Sequence, residues 1–456
     1  MNGSRPETGT LTIWQRIRQG VAALSLDTVI GLVTGVLGAR LVFHYLSVAE
    51  YGRLALYISF YTTGTVLLDF GMVDVFTAEI ASARGTSKPS WAGFLLSRYS
   101  LMVMSTATVL LLVFVGVGAQ RGELWVWSIM GAYLWLTAVN LAAAALFYST
   151  TRYRRLAGQS IVRNVSRLLL RATLPWWWTQ QRLTGVALTY PLTELAVILA
   201  SAYLARGAWA EFRSKSATTY SLRDLTPLFA RKGIYATLTI PVKRFMAQLP
   251  VWLLKTMAGD VALGAYAAAE EAYILLFTFF GSVETTLLPL VSEQAQIQLD
   301  RLRVALRQAQ KYTFWIGVLA TIAGVVGARW LILLIAGEKY IAALPLLRLF
   351  LLLLPLNAFT QSQRPILHAV GEQKWILLIQ VVSAVIGAIL LLIGIHVAQA
   401  TGAVWAVLIR SCATLVMGYV AIRYLAPDLW IDPRGIVKIE EFDRKLWRVL
   451  TGRSRE

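Results

Sequence analysis

The sequence predicts an all-α integral membrane protein with twelve transmembrane helices in two parallel, pseudo-symmetric six-helix lobes. Three observations lead there. Hydrophobic residues fill 57% of the 456 positions and charged residues only 15%, a balance that few soluble proteins of this length reach. Apolar stretches of about 20 residues, each enough for one bilayer crossing, recur along the chain. Lysine and arginine concentrate in alternate connections between those stretches, as the positive-inside rule requires.

Taken in order, a polar tail, 1–20, carries Arg5, Arg16 and Arg18 and precedes an apolar stretch too long for a signal-peptide core. The stretch is therefore predicted as an uncleaved first span, 21–46. Further spans are predicted at 51–80, 91–118, 124–149, 156–178 and 184–205, so that an N-terminal lobe occupies 21–205. A basic segment, 206–233, reads as a cytoplasmic linker. The C-terminal lobe, 234–422, holds spans at 234–258, 261–292, 309–336, 341–370, 374–397 and 402–422. The remaining 423–456 forms a cytoplasmic tail whose amphipathic "DRKLWRVL" suits an anionic leaflet surface.

Twelve crossings put both ends on one side. Of the basic residues in the connections or at the span ends beside them, 27 fall on that side and 3, Arg121, Arg182 and Lys339, on the other. Both termini are thus expected in the cytoplasm. The two halves also echo each other: "AEYGRLALYISF" opens the second span and "VALGAYAAAEEA" the eighth, and "ALFYSTTRYRR" and "PILHAVGEQKW" close the fourth and tenth. Because six is even, the lobes run parallel about an axis along the membrane normal. Trp176, Trp177 and Trp178 fall at the outer end of the fifth span, where amphipathic rings favour the interface.

Composition also excludes much. A net charge of +19 would suit nucleic acid, yet a polytopic membrane protein gathers basic residues on its inner loops anyway, and no nucleic-acid partner is expected. Cys412 is the lone cysteine and has no second thiol to pair with. His44, His368 and His396 are scattered over different spans, so no metal site is expected. No phosphate-binding loop is present and no other cofactor is implied. With outer loops as short as "AGD" at 258–260 and "AGEKY" at 336–340, no segment is large enough for a catalytic domain, and the chain is expected not to be an enzyme.

"YGRLALYISFYTTGTVLLDFGMVDVFTAEIA" (51–81), "LGAYAAAEEAYILLFTFFGSVETTLLPLVSEQ" (263–294) and "GEKYIAALPLLRLFLLLLPLNAF" (337–359) resemble the polysaccharide-transport branch of the multidrug/oligosaccharidyl-lipid/polysaccharide exporter superfamily, over about residues 15–425. The resemblance implies a MATE-like, V-shaped pair of lobes around a central cavity lined mainly by helices 1, 2, 7 and 8. It also implies a bacterial inner-membrane flippase that carries an undecaprenyl-diphosphate-linked oligosaccharide to the periplasmic leaflet for O-antigen, capsule or exopolysaccharide synthesis. Its expected partners are that lipid-linked substrate, membrane lipid, and the polymerase and chain-length regulator of the same pathway. Alternatives are a drug–cation antiporter on the same fold, a peptidoglycan-precursor flippase, and a polysaccharide polymerase or ligase.

The charges inside the spans carry the site prediction. A lipid-facing arginine at mid-membrane costs about 2.5–3.5 kcal/mol, so Arg163, Arg167 and Arg171, spaced four apart on one face of the fifth span, must face protein or water. By depth, Glu194 is the expected partner of Arg167 and Asp27 that of Arg163. At mid-membrane Arg163, Arg167, Arg171, Lys243, Arg244, Arg348 and Arg410 face Asp27, Glu194, Glu270 and Glu271, seven cations against four acids. Such a surplus would attract a diphosphate, and arginine can grip phosphate with both arms of its fork. Lys243 and Arg244 are the leading candidates, since Pro241 and Pro250 can break the seventh helix beside the cleft; pairing of Lys243 with Glu270 or Glu271 is the alternative. Asp27 is a candidate for ion coupling or for charge pairing, as are Glu194, Glu270 and Glu271. Arg40, Arg53, Lys255 and Arg329 read as snorkelling residues of the outer interface and Arg364 as one of the inner. Asp69 and Asp74 are assigned to the inner gate, and Tyr57, Tyr61, Tyr133 and Tyr190 to packing or sugar stacking.

Overall fold

A computed structural model describes residues 13–85, 89–150, 153–178, 181–206, 220–221, 234–294, 299–369, 373–427 and 430. The predicted linker and C-terminal tail lie almost wholly outside these residues. So do the side chains of Asp74, Arg364 and His368. Among the described residues the chain is all helix with connecting turns. In order, the helices are α1 (Ile13–Tyr45), α2 (Val48–Asp69), α3 (Val73–Gly85), α4 (Pro89–Arg121), α5 (Leu124–Ser149), α6 (Tyr153–Trp177) and α7 (Arg182–Leu204). They continue with α8 (Ile234–Met257), α9 (Gly259–Gln294), α10 (Leu299–Ile335), α11 (Leu344–Leu351), α12 (Leu353–Ala369) and α13 (Gln373–Leu425). A 3₁₀ turn, Glu338–Ala343, precedes α11.

Seven helices among the described residues are long and apolar enough to cross a membrane, eight if the bent pair Glu338–Leu351 and Leu353–Thr360 counts as one span. α6 is not among the seven, and its arginines are the physical reason: the charged ladder cancels the apolarity of the rest.

Four predicted spans change shape. The second breaks after α2, where Phe70 and Gly71 take left-handed backbone angles of φ 50° and 74°. Asp69 secures that break, its carboxylate accepting from the backbone N–H of Gly71 (3.0 Å) and of Val73 (3.1 Å) and from the Tyr99 hydroxyl (3.3 Å). It thus satisfies the first free N–H of α3. The tenth span is bent by 41° between α11 and α12. The eleventh and twelfth form one 53-residue helix, α13, interrupted at Ala398 and Gln399, and the limbs fold back with the Gly394 and Gly402 backbones in direct contact. By contrast α8 runs unbroken through Pro241 and Pro250, which were expected to interrupt it.

The helices group into two compact units. The first comprises 1–267 with 333–340, the second 268–332 with 341–456. Within the first unit α4 packs on α5, α5 and α6 on α7, α1 on α6, and α2 on α8. Its core includes Phe43, Leu54, Tyr57, Leu68, Tyr99, Trp127 and Phe147. Within the second, α12 packs on α13, and Leu306, Ile366, Leu367, Ile379 and Ile422 form a buried cluster.

Candidate functional site

The first unit builds its polar interior around α6. This helix runs parallel to α1 with a constant offset: Gly31 faces Asn164, Gly38 faces Arg171, and the Tyr45 hydroxyl donates to the Trp178 carbonyl at 2.8 Å. Two glycines of α1 therefore leave room for the polar side chains of α6, and the Arg171 guanidinium comes within 3.0 Å of where a Gly38 side chain would begin.

On its other side α6 meets Glu194 of α7. The Glu194 side chain is only 2% exposed, and Arg163 clamps it with both arms of its fork, Nε to Oε1 at 2.9 Å and Nη2 to Oε2 at 3.2 Å. Asn140 of α5 adds an amide bond of 2.7 Å to Oε2 and another of 3.1 Å to the Glu194 backbone carbonyl. Gln159 continues the network, donating to the Asn140 carbonyl (3.3 Å) and the Ser201 hydroxyl (3.0 Å). Arg167 stands 3.8 Å from the same carboxylate and donates to the Tyr133 hydroxyl at 3.3 Å.

Arg167 thus pairs with Glu194 as its depth predicts, but Arg163 makes the closer, two-armed bond. The expected Arg163–Asp27 pair does not form. One Asp27 carboxylate oxygen is instead buried with no hydrogen-bond partner. Among the described residues Arg171 has no carboxylate partner either; its guanidinium lies 5.1 Å from the Tyr190 ring centre, as that of Arg167 does at 5.2 Å, and its buried Nε is unpartnered. Of three cations on one face of α6, two therefore share one carboxylate and the third has none among the described residues.

The aromatic candidates make contacts within the first unit. Tyr61 stacks on Tyr133 at 3.8 Å, Tyr133 meets Tyr190 at 5.3 Å, and the Tyr57 hydroxyl donates to Glu123 at 2.6 Å. Lys243 and Arg244 are exposed on α8. In the second unit Arg348 is exposed on α11, and Glu270 and Glu271 are neighbours on α9, with Arg410 of α13 near enough to act electrostatically on Glu270. There the Tyr273 hydroxyl accepts from Asn357 at 2.7 Å, and its ring lies 5.7 Å from that of Phe350. Among the described residues no group of histidine, cysteine, aspartate and glutamate is placed to hold a metal ion.

Sequence reasoning missed Asp260. It falls in a stretch read only as a loop, yet it sits in the first turn of α9 and takes both Arg53 (Nε at 3.2 Å) and Lys255. Those two residues are not simply snorkelling. Arg40 likewise donates to the Leu334 carbonyl.

A family model described as "Polysaccharide biosynthesis protein" matches residues 17–295, and one described as "MatE" matches 244–393. No curated protein matches the chain. Among solved structures, it is similar to an inward-facing multidrug resistance MATE family transporter of the MOP superfamily, with TM-score 0.69 and 14% identity over 90% of this chain and 99% of that one. It is also similar to the lipid II flippase MurJ in an inward closed conformation, with TM-score 0.69 and 12% identity over 96% and 93%. A third is a MOP superfamily transporter from Pyrococcus furiosus described by the reversed polarity of its binding pocket, with TM-score 0.65 and 14% identity over 94% and 100%. At these identities the likeness is one of fold.

Proposed function

The chain belongs to the polysaccharide biosynthesis protein family, and from that premise we propose that it is a flippase moving undecaprenyl-diphosphate-linked oligosaccharides from the cytoplasmic to the periplasmic leaflet of a bacterial inner membrane. The observation that carries this reading is the arginine face of α6, where Arg163 and Arg167 share the carboxylate of Glu194 and Arg171 has no carboxylate partner among the described residues. An uncompensated cation at membrane depth is unfavourable unless something anionic visits it. A diphosphate matches the charge, and guanidinium groups bind its oxygens in pairs.

Within this reading Arg163 and Glu194 hold the lobe together, while Arg171 and the outer arm of Arg167 supply the field that draws the headgroup. Lys243, Arg244 and Arg348 are the further cations proposed to touch it. Asp27, Glu270 and Glu271 are the carboxylates available for ion coupling. The polyprenyl chain stays in the bilayer and no covalent chemistry is needed. The proposed topology keeps two six-helix lobes, 21–205 and 234–422, joined by the basic segment 206–233, with both ends in the cytoplasm.

A peptidoglycan-precursor flippase is the second reading, favoured by the fold likeness to a lipid II flippase. A drug–cation antiporter fits poorly with a cationic interior. The deciding experiment is binding of undecaprenyl diphosphate to the purified full-length protein, comparing wild type with Arg171→Ala and with Lys243→Ala/Arg244→Ala. Each variant is checked for folding by thermal unfolding. About a tenfold loss of affinity in either folded variant, roughly 1.4 kcal/mol, supports the reading. Unchanged affinity in both overturns the diphosphate site.

A further inference from the structure

One end of the first unit is closed by two contacts of different chemistry. The first joins α2 to the first turns of α9. Gly52 lies against the Asp260 carbonyl and the Gly264 backbone, and Gly264 lies against the Val48 carbonyl. A side chain at either glycine would overlap backbone, which cannot move aside as a flexible side chain can. Over this close approach Asp260 receives Arg53 from α2 and Lys255 from α8. One carboxylate thereby ties two helices across a glycine contact.

The second contact joins the α1–α2 turn to the turn after α10. Lys339 donates to the carbonyls of His44 (2.9 Å) and Leu46 (2.5 Å), which are free because they end α1. A cation there also matches the negative end of the helix dipole. The Tyr340 hydroxyl reaches the Leu46 and Ser47 carbonyls, each at 3.2 Å, and its ring packs edge-on to Phe43 (4.9 Å) and Tyr51 (6.0 Å). Ser47 and Glu50 cap the start of α2 reciprocally, so the turn they clasp is itself rigid.

The two contacts differ in how they can open. Lys339 and Tyr340 bond to backbone carbonyls, acceptors that do not themselves ionise. The Asp260 cluster is ionic and partly exposed, with side-chain exposures of 47% for Arg53, 31% for Lys255 and 22% for Asp260. Exposed pairs of this kind are worth only about 0.2–1 kcal/mol each, which suits a contact that must break and re-form in every cycle.

We infer that Asp260 is the positioning residue that holds this end of the protein shut, acting through Arg53 and Lys255, and that its release lets Gly52 and Gly264 separate during transport. The inference rests on the transport reading and on the orientation drawn from the charge bias, which makes this the non-cytoplasmic end.

The test uses the full-length chain in cells, with Cys412→Ser and a single reporter, Thr63→Cys. That position lies on α2 about 22 Å below its first residue at 1.5 Å per residue. The readout is the rate of modification by a membrane-impermeant maleimide added outside, normalised to labelling of the solubilised protein. Wild type is expected to label slowly and Asp260→Asn at least about fivefold faster. The charge exchange Arg53→Glu/Asp260→Lys is expected to return the rate towards wild type. A separate control, Gln120→Cys at the exposed end of α4, should label readily in every background. Equal rates in wild type and Asp260→Asn, with the control labelled, overturn the role of Asp260. A reporter already fully accessible in wild type does the same. A control that fails to label from outside overturns the orientation, and the inference with it. The two failures are therefore distinguishable.

Discussion

Glu194 and Asp260 each serve two cations, and there the likeness between the two regions ends. The Glu194 side chain is 2% exposed, whereas that of Asp260 is 22% exposed and its partner Arg53 is 47% exposed. At Asp260, water carries the surplus positive charge, so either cation can leave at little cost. At Glu194 the low-dielectric interior raises both the strength of the pair and the penalty for breaking it. The same stoichiometry gives a reversible fastening at a water-facing turn and a fixed brace inside the lobe. It also leaves Arg171, one turn beyond the brace, with charge that no carboxylate cancels.

The largest expected effect follows from removing the brace. Glu194→Ala strands Arg163 and Arg167, and a loss of about 3 kcal/mol is expected, seen as lower yield and a lower Tm in detergent. A Tm equal to wild type would mean that water reaches Arg163 freely, and the contrast between the two regions would collapse. Asn140→Ala removes one amide from a buried carboxylate and should cost about 1–2 kcal/mol, measured the same way. Arg53→Gln should cost no more than about 1 kcal/mol, and that difference should shrink at high salt because the pair is exposed. A cost independent of salt would show that Arg53 acts by packing. Tyr99→Phe should cost about 0.5 kcal/mol, since Asp69 keeps its two backbone N–H partners. Smallest of all, Arg171→Gln should leave the Tm unchanged or slightly raised, because no carboxylate loses a partner. A clear fall would reveal a structural role and weaken it as a substrate contact.

Much of the fold was legible because apolar length is a local property. α1, α4, α5, α6, α7 and α8 fall within a few residues of the predicted spans apart from longer starts on α1 and α6, and even the break inside α13 falls between the predicted 374–397 and 402–422. The break after Asp69 was not legible, since Phe70 is a residue that seldom adopts a left-handed backbone. Asp69 in the sequence reads as a charge rather than as an acceptor for backbone N–H groups. Counting residues from a helix end gave the depth of Glu194 but not the reach of a guanidinium, whose long stem lets Arg163 arrive first. Asp260 escaped because its partner Arg53 is 207 positions away and no periodicity links two separate helices. Arg171 as the cation without a carboxylate could be recognised only once Glu194 had been assigned.

The contact of Gly394 with Gly402 has a consequence for how the chain is made. No polar loop separates the two limbs of α13, only the break at Ala398 and Gln399. Backbone groups freed at such a break find no partners in hydrocarbon and must reach the headgroup region or other protein. Neither limb can settle with that break stranded at the bilayer centre, so the pair should enter the membrane during synthesis as a single helical hairpin. A larger residue at either glycine would then act before the protein is complete, by holding apart two limbs that have to insert together.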